Sequence, residues 1–270
     1  MPHSTTYSCA LITGASSGIG EEFALQLAGC VEKLVLVARR EPQLHQLAAL
    51  LQEAYPELEV LVYAADLADP SEREDLVENL ILQRFIPDLL INNAGMGDFG
   101  EFVSADWSRV RSMLGVNIEA LTHLTHALLP AMIRCGRGAV INISSLASLL
   151  PIPDFAVYAA TKAYVTSFSE ALRIELKPQG IPVLAVCPGP VSTGFGEVAR
   201  RHGEGRELPG HDCFYVPREQ VVAEALQALR ASRARVYPGL KTALAAVLIS
   251  ALPIIAIRFA MGFRPRKGRS

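Results

Sequence analysis

One stretch constrains this chain more than any other: Thr13-Gly-Ala-Ser-Ser-Gly-Ile-Gly20, placed directly after a short apolar run at 7–12. Its glycines follow a Gly-x-x-x-Gly-x-Gly spacing. Glycine allows a tight turn and a close backbone approach to a ligand. Residues from Glu21 to Gly29 continue as a helix, with Phe23, Leu25 and Leu27 among its apolar positions. A helix starting there aims the positive end of its dipole, and its free amides, at the turn. Strand, glycine turn and helix in that order are the context in which such a motif signals dinucleotide binding.

The rest of the chain repeats the alternation. Apolar runs at 33–38, 58–63, 87–91, 138–143, 181–186 and 235–238 read as strands, several nearly continuous, as in buried parallel sheets. Helical periodicity fills the gaps at 41–54 (Leu44, Leu47, Leu50 and Leu51 on one side), 70–84, 106–134, 155–177 and 217–231. Asp69 or Ser71 caps the second of these, and Pro217 suits a first helical position. Strand–helix–strand repetition predicts an α/β fold, a Rossmann-type doubly wound parallel sheet. At 270 residues the chain fits a single domain. We assign residues 1–238 to that domain and 239–270 to an apolar segment with a basic tail.

In such sheets ligands bind beyond the carboxyl ends of the strands. The expected strand ends carry Gly14, Arg39-Arg40, Asp66-Leu67, Asn92-Asn93-Ala94-Gly95, Ser144-Ser145 and Pro188-Gly189. At the second strand end, NAD-binding folds place a carboxylate and NADP-binding folds an arginine. Here two arginines stand, and arginine suits phosphate through its bidentate fork. NADP(H) is therefore preferred over NAD(H). Asp66 is placed to reach the adenine edge. Small residues at 93–95 let the backbone come close to a ligand.

Tyr158 and Lys162 are four apart, one turn from each other on a single helix face. An ammonium beside a phenol favours the phenolate. It brings a side chain with a reference pKa of about 10 toward use as a general acid or base. A serine at the preceding strand end, Ser145, suits holding a carbonyl oxygen in reach of the tyrosine. Asn117 lies inside a long helix, where its side chain competes for backbone hydrogen bonds. A kink, a held water and plain exposure all remain open for it.

With these motifs in place the sequence resembles the short-chain dehydrogenase/reductase family over roughly residues 7–238. The resemblance rests on Thr13-Gly-x-x-x-Gly-Ile-Gly20, Asn92-Asn-Ala-Gly95, Asn117, Ser145 with Tyr158-x-x-x-Lys162, and Pro188-Gly189. It implies hydride transfer between a nicotinamide and a carbonyl or alcohol carbon. Tyr158 would be the acid/base, Lys162 would lower its pKa and hold the nicotinamide ribose, Ser145 would orient the substrate oxygen, and Asn117 would support a water-linked proton relay. Gly14, Ser16, Ile19 and Gly20 would carry the pyrophosphate, with Ser17 and Gly18 in the same cofactor turn. Asp66 and Leu67 would meet adenine. Asn93, Ala94, Gly95, Pro188, Gly189, Val191 and Thr193 would line the rest of the cofactor. A homodimer or homotetramer through the helices at 106–134 and 155–177 follows from the same resemblance.

Composition narrows the alternatives. A net charge of −2 gives no reason to expect nucleic acid. Five cysteines are scattered and never in Cys-x-x-Cys spacing, which argues for a reducing compartment and against a zinc site. No metal is expected at His123 and His126 either, for want of a third ligand. Without a leader-like N-terminus, the expected location is cytoplasmic. A non-catalytic NAD(P)-sensing protein and an NAD-dependent alcohol dehydrogenase are the competing functions. Residues 194–216 are glycine-rich with Arg200, Arg201, His202, Arg206, His211 and Cys213, and read as a substrate lid. Met96, Phe99, Phe102, Leu146, Leu149, Leu150, Phe155, Phe195 and Phe214 suggest an apolar cleft, for an apolar ketone, aldehyde or alcohol of acyl- or steroid-like bulk. Thr242–Ile257 carries no charge and is interrupted by Pro253, too short to span a bilayer. Two readings stand for it: a cover over the cleft or a subunit interface, and a peripheral membrane anchor through 240–270 with its basic tail.

Overall fold

The computed structural model describes residues 7–201 and 215–262. Seven strands form one parallel sheet: β1 (Cys9–Thr13), β2 (Lys33–Ala38), β3 (Glu59–Ala64), β4 (Leu89–Asn92), β5 (Ala139–Ile143), β6 (Val183–Val186) and β7 (Arg235–Val236). Their spatial order is β3-β2-β1-β4-β5-β6-β7. The order reverses between β1 and β4, where a doubly wound sheet opens its binding crevice.

The strands alternate their side chains between two apolar layers. Ile12, Leu36, Ile91, Ile141 and Leu184 face the layer closed by α1 (Gly18–Leu27), α2 (Glu41–Ala54) and, further along, α8 (Arg218–Arg230). Leu11, Val35, Leu90, Val140 and Val183 face the opposite layer. That layer includes side chains of α3 (Pro70–Leu82) and α5 (Leu121–Cys135). Both neighbours in each pair are fully buried, which is why the strands read as continuous apolar runs rather than alternating ones. Each fully buried side chain of this size contributes about 1.5–3 kcal/mol. Asp69 caps α3, its carboxylate accepting from the Ser71 amide at 2.8 Å.

One expected element differs. The helix foreseen over 106–134 is three pieces: α4 (Trp107–Leu114), a π-helical turn at Gly115–Ala120, and α5. Asn117 sits in the π turn, so the disturbance expected of it takes the form of an inserted wide turn. α6 (Ala156–Glu175) follows β5 through a short 3₁₀ turn at Leu146–Leu149. The short α7 (Phe195–Ala199) follows β6. The chain then ends in α9 (Leu240–Ala251) and α10 (Ile254–Gly262), with Pro253 between them. Residues 202–214 of the expected lid, with His202, Arg206, His211, Cys213 and Phe214, lie outside the described residues, as does the basic tail from 263 onward.

Candidate active site

The glycine turn is built for backbone proximity. Gly14 and Gly18 have φ of 67° and 62°, the left-handed region that side chains disfavour. A Cβ on Gly14 would come within 2.7 Å of Asn93 Nδ2, and one on Gly20 within 2.3 Å of the Gly14 carbonyl oxygen. Thr13, which the motif reading left without a role, explains how the two loops meet. Its hydroxyl accepts from the amides of Asn93 and Ala94, both at 2.9 Å, and donates to Ile91 O at 3.3 Å. Asn93 Nδ2 donates to Thr13 O at 2.8 Å. The Asn93 amide is thus turned to fastening the β4 loop onto the glycine turn across the switch point, while the residue still borders the cavity.

At the end of β2, Arg40 Nη2 donates to the hydroxyls of Ser16 at 3.0 Å and Ser17 at 2.6 Å. Arg39 stands exposed beside it, and both border the same cavity. Glu41 begins α2 and pairs with His45 at 3.5 Å, away from the arginine fork. Asp66 Oδ1 accepts from the Ala68 amide at 3.0 Å, and Leu67 is buried next to it. The donors and the bare glycine backbone fit a nicotinamide dinucleotide. Among the described residues no cluster of His, Cys, Asp or Glu is arranged to hold a metal ion. Cys9, Cys30, Cys135 and Cys187 are free thiols.

Beyond the cradle, β5 and α6 bring Ser145, Tyr158 and Lys162 together. Tyr158 and Lys162 are both buried, and the Ser145 hydroxyl lies beside the Tyr158 phenol. Lys162 Nζ donates to Ile143 O at 2.8 Å and lies 5.7 Å from the centre of the Tyr158 ring. The expected lowering of the tyrosine pKa by the lysine is not what this geometry produces. Burial pushes the phenol up to about 12, against a smaller opposing effect of the nearby Ser145 hydroxyl. Burial also brings Lys162 down to about 8. Loss of solvation sets the phenol's value, and the ammonium is bonded to the Ile143 carbonyl rather than to the phenol.

Two polar residues have structural work to do. Ser144 donates to Lys162 O at 2.8 Å and shares a hydrogen bond with Thr166 at 2.7 Å, so the hydroxyl of the pair left for the site is that of Ser145. Asn117 is buried and does not border the cavity. Its Oδ1 accepts from Met96 N at 2.9 Å, and its Nδ2 donates to Met96 O and to Thr161 Oγ1, both at 3.0 Å. It ties the π turn to the loop after β4 and to the helix of Tyr158. Gly20 also lies off the cavity wall. Every other candidate borders it: Gly14, Ser16, Ser17, Gly18 and Ile19 on the turn, then Arg39, Arg40, Asp66, Leu67, Asn93, Ala94, Gly95, Ser145, Tyr158, Lys162, Pro188, Gly189, Val191 and Thr193.

The cavity measures about 910 Å³ and continues from the cradle past Tyr158 into an apolar cleft. Met96, Leu146, Leu150, Phe155 and Phe195 line it as expected. Phe155 stacks on Tyr158 with ring centres 4.3 Å apart, and Phe195 lies 5.5 Å from the same ring. Three expectations are corrected. Phe99 packs edge-on behind Phe155, 5.7 Å away, rather than on the wall. Phe102 is 62% exposed. Leu149 does not reach the cavity. Ile152, Val198 and Tyr215 take their place, joined by Ala260 and Met261 from α10. The C-terminal segment therefore covers part of the cleft.

A buried charge cluster holds one side of this cleft. Asp98 accepts from Arg201 Nε at 3.0 Å and Nη2 at 2.7 Å, and pairs with Arg109 Nε at 2.9 Å. Phe99 N donates to Ala199 O at 2.8 Å beside it. Together these fasten the segment after β6, including α7, to the loop after β4. Arg201 is 103 residues from Asp98 in sequence, and no spacing marked the cluster.

Known proteins resemble this chain in sequence and fold. The family model for short chain dehydrogenases matches residues 8–203. A very-long-chain 3-oxoacyl-CoA reductase of Anas platyrhynchos is 33% identical over 198 residues, 71% of this chain but 62% of that relative's own length. Two solved structures match nearly end to end. A short-chain dehydrogenase from Sphingobium yanoikuyae in complex with NADPH is 30% identical with a TM-score of 0.78, covering 97% of this chain and 98% of that one. The bulky-bulky ketone specific alcohol dehydrogenase from Comamonas testosteroni is 29% identical with a TM-score of 0.76, covering 98% of both chains. With its glycine turn, its Asn-Asn-Ala-Gly loop and its Ser145–Tyr158–Lys162 cluster on one parallel sheet, this chain belongs to the short-chain dehydrogenase family.

Proposed function

We propose that the protein is an NADP(H)-dependent oxidoreductase that reduces apolar ketones or aldehydes of acyl- or steroid-like bulk. The observation that carries this reading is the continuous cavity running from the glycine turn to the buried Tyr158, with Ser145 on the same wall. When bound, NADP(H) supplies or accepts the hydride. Gly14, Ser16 and Ile19 would hold its pyrophosphate, and Arg39 and Arg40 with the Ser16 and Ser17 hydroxyls its 2′-phosphate. Asp66 and Leu67 would meet the adenine, and Lys162 the nicotinamide ribose.

The protein's own groups then handle the proton. A phenol with a pKa pushed up to about 12 is neutral near pH 7, the form that donates. Tyr158 gives its proton to the carbonyl oxygen as the carbon takes the hydride, and Ser145 donates a hydrogen bond to the same oxygen. The phenolate that results is left with the Lys162 ammonium 5.7 Å from its ring centre. Asn117 acts as a positioning residue, through Thr161 and the Met96 backbone. Phe155, Phe195 and Ile152 exclude water and favour an apolar substrate. The substrate class agrees with the names of the duck reductase and the Comamonas enzyme.

Titration with NADPH and NADH, each followed by quenching of protein fluorescence, tests the reading. NADPH is expected to bind at least about tenfold tighter, a difference of ~1.4 kcal/mol, and Arg40→Asp to remove the preference. Equal or tighter binding of NADH overturns the NADP assignment and favours an NAD-dependent alcohol dehydrogenase.

A further inference from the structure

Helices α9 and α10 carry an outward apolar face that the cavity does not use. On α9, Thr242 and Ala246 are buried, while Leu240, Leu244, Val247 and Leu248 are each more than half exposed. Their spacing places them along one stripe of the helix. Leu252, Ile254 and Ile255 continue the apolar surface across the bend, exposed by 51%, 51% and 75%. α10 meanwhile buries Ile257 and sets Ala260 and Met261 in the cavity wall. The two helices meet at 111°, and among the described residues no single helix is long and apolar enough to cross a membrane. Contiguous exposed apolar surface of this kind marks a contact with another phase or another molecule.

Charge decides which. No acidic residue follows Glu224, whereas Lys241 and Arg258 are exposed on these two helices, and Arg264, Arg266, Lys267 and Arg269 follow in sequence. A second copy docked on this face about a two-fold axis would meet the same basic set. A surface of anionic lipid complements it, and apolar side chains rimmed by lysine and arginine suit the headgroup boundary.

We propose that α9 and α10 form a docking face for an anionic bilayer surface, which the protein contacts without spanning. Because the inner side of α10 borders the cavity, an apolar substrate dissolved in lipid would reach Tyr158 past this helix; that clause rests on the reductase reading.

The test is flotation of the full chain with phosphatidylcholine vesicles, with and without phosphatidylserine, beside a Leu244→Glu/Leu248→Glu variant. The wild type is expected to float with phosphatidylserine vesicles and to bind at least about tenfold more weakly to phosphatidylcholine alone. The variant is expected to stay in the soluble fraction while keeping NADPH binding and turnover of a water-soluble ketone. Wild-type protein that stays soluble with both vesicles overturns the proposal, and so does equal flotation of wild type and variant. A soluble dimer that light scattering shows to be split by the variant assigns the face to a subunit interface instead. Flotation is read without turnover, so it stands or falls apart from the reductase reading.

Discussion

The two halves of the cavity are built by opposite means. On the cofactor side the wall is backbone: glycines at positive φ, amides locked by Thr13, and two arginines at a strand end. On the substrate side the wall is side chain: Phe155, Phe195, Ile152 and Met261, drawn from loops and helices far apart in sequence. Between them stand Ser145, Tyr158 and Lys162. The backbone half must approach an invariant charged molecule, so few residues suit it. The side-chain half needs only volume and low polarity, so many sequences would serve. What recognises a class of cofactor is therefore written in motifs, and what recognises a substrate is not.

The sharpest way to break this division is at its boundary. Tyr158→Phe is expected to lower turnover by about 10³-fold, ~4 kcal/mol, with NADPH affinity held within about twofold. Steady-state kinetics and a cofactor titration read both. Retained turnover would remove the tyrosine from the chemistry altogether.

Next in size is the clamp on the substrate half. Asp98→Ala leaves Arg109 and Arg201 facing each other without their carboxylate, and breaking a buried pair in this way is expected to destabilise by about 3 kcal/mol. Urea unfolding measures it. In protein that remains folded, KM for an apolar ketone is expected to rise and NADPH binding to stay near wild type. A selective loss of cofactor affinity would show the two halves to be one unit.

Lys162 gives a pH-dependent effect of the opposite sign. Its folded pKa of about 8 lies below the ordinary lysine value of 10.5, so between those pH values the unfolded chain holds more protons. Stability of the wild type therefore rises with pH across that window, and the full burden of the buried ammonium is felt below it. The shift corresponds to at most about 3 kcal/mol; loss of the hydrogen bond to Ile143, about 1 kcal/mol, offsets part of it. Lys162→Met is expected to be more stable than wild type by about 2 kcal/mol at pH 7, with the gap closing above pH 10. Denaturant midpoints at both pH values check it, and a gap independent of pH would refute the burial argument.

The smallest effect belongs to the cleft wall. Phe195→Ala is expected to raise KM for a bulky ketone by about tenfold, ~1.4 kcal/mol, and to leave that for a small aldehyde nearly unchanged. Parallel kinetics on the two substrates decide it. Equal effects on both would mean that Phe195 works on the Tyr158 ring rather than on substrate.

How far the chain could be read before its structure was known follows the same line. β2 at 33–38 and α2 at 41–54 were legible to the residue, because an uninterrupted apolar run and a 3.6-residue stripe each leave one solution. The long helix at 106–134 was legible only in outline. Asn117 signalled a disturbance, but the π turn depends on Met96 and Thr161, partners that no local pattern names. Phe102 and Leu149 were plausible cleft residues by type and proximity in sequence, and their elements face elsewhere. The tyrosine pKa was misjudged for a related reason. Spacing puts Lys162 beside Tyr158, but burial and the Ile143 carbonyl are set by packing.

Local chemistry by itself determined the alternating strands and helices, the left-handed glycine turn, the arginine pair at the second strand end and the Tyr158–Lys162 face. Each is decided by backbone geometry or by spacing within a few residues. Tertiary structure alone decided that the Ser144 hydroxyl is tied to Lys162 O and Thr166, which aromatics form the wall, and that α10 closes a cleft begun by β1 far earlier in the chain. These depend on distances between segments remote in sequence, and such distances exist only once the sheet has brought those segments to one edge.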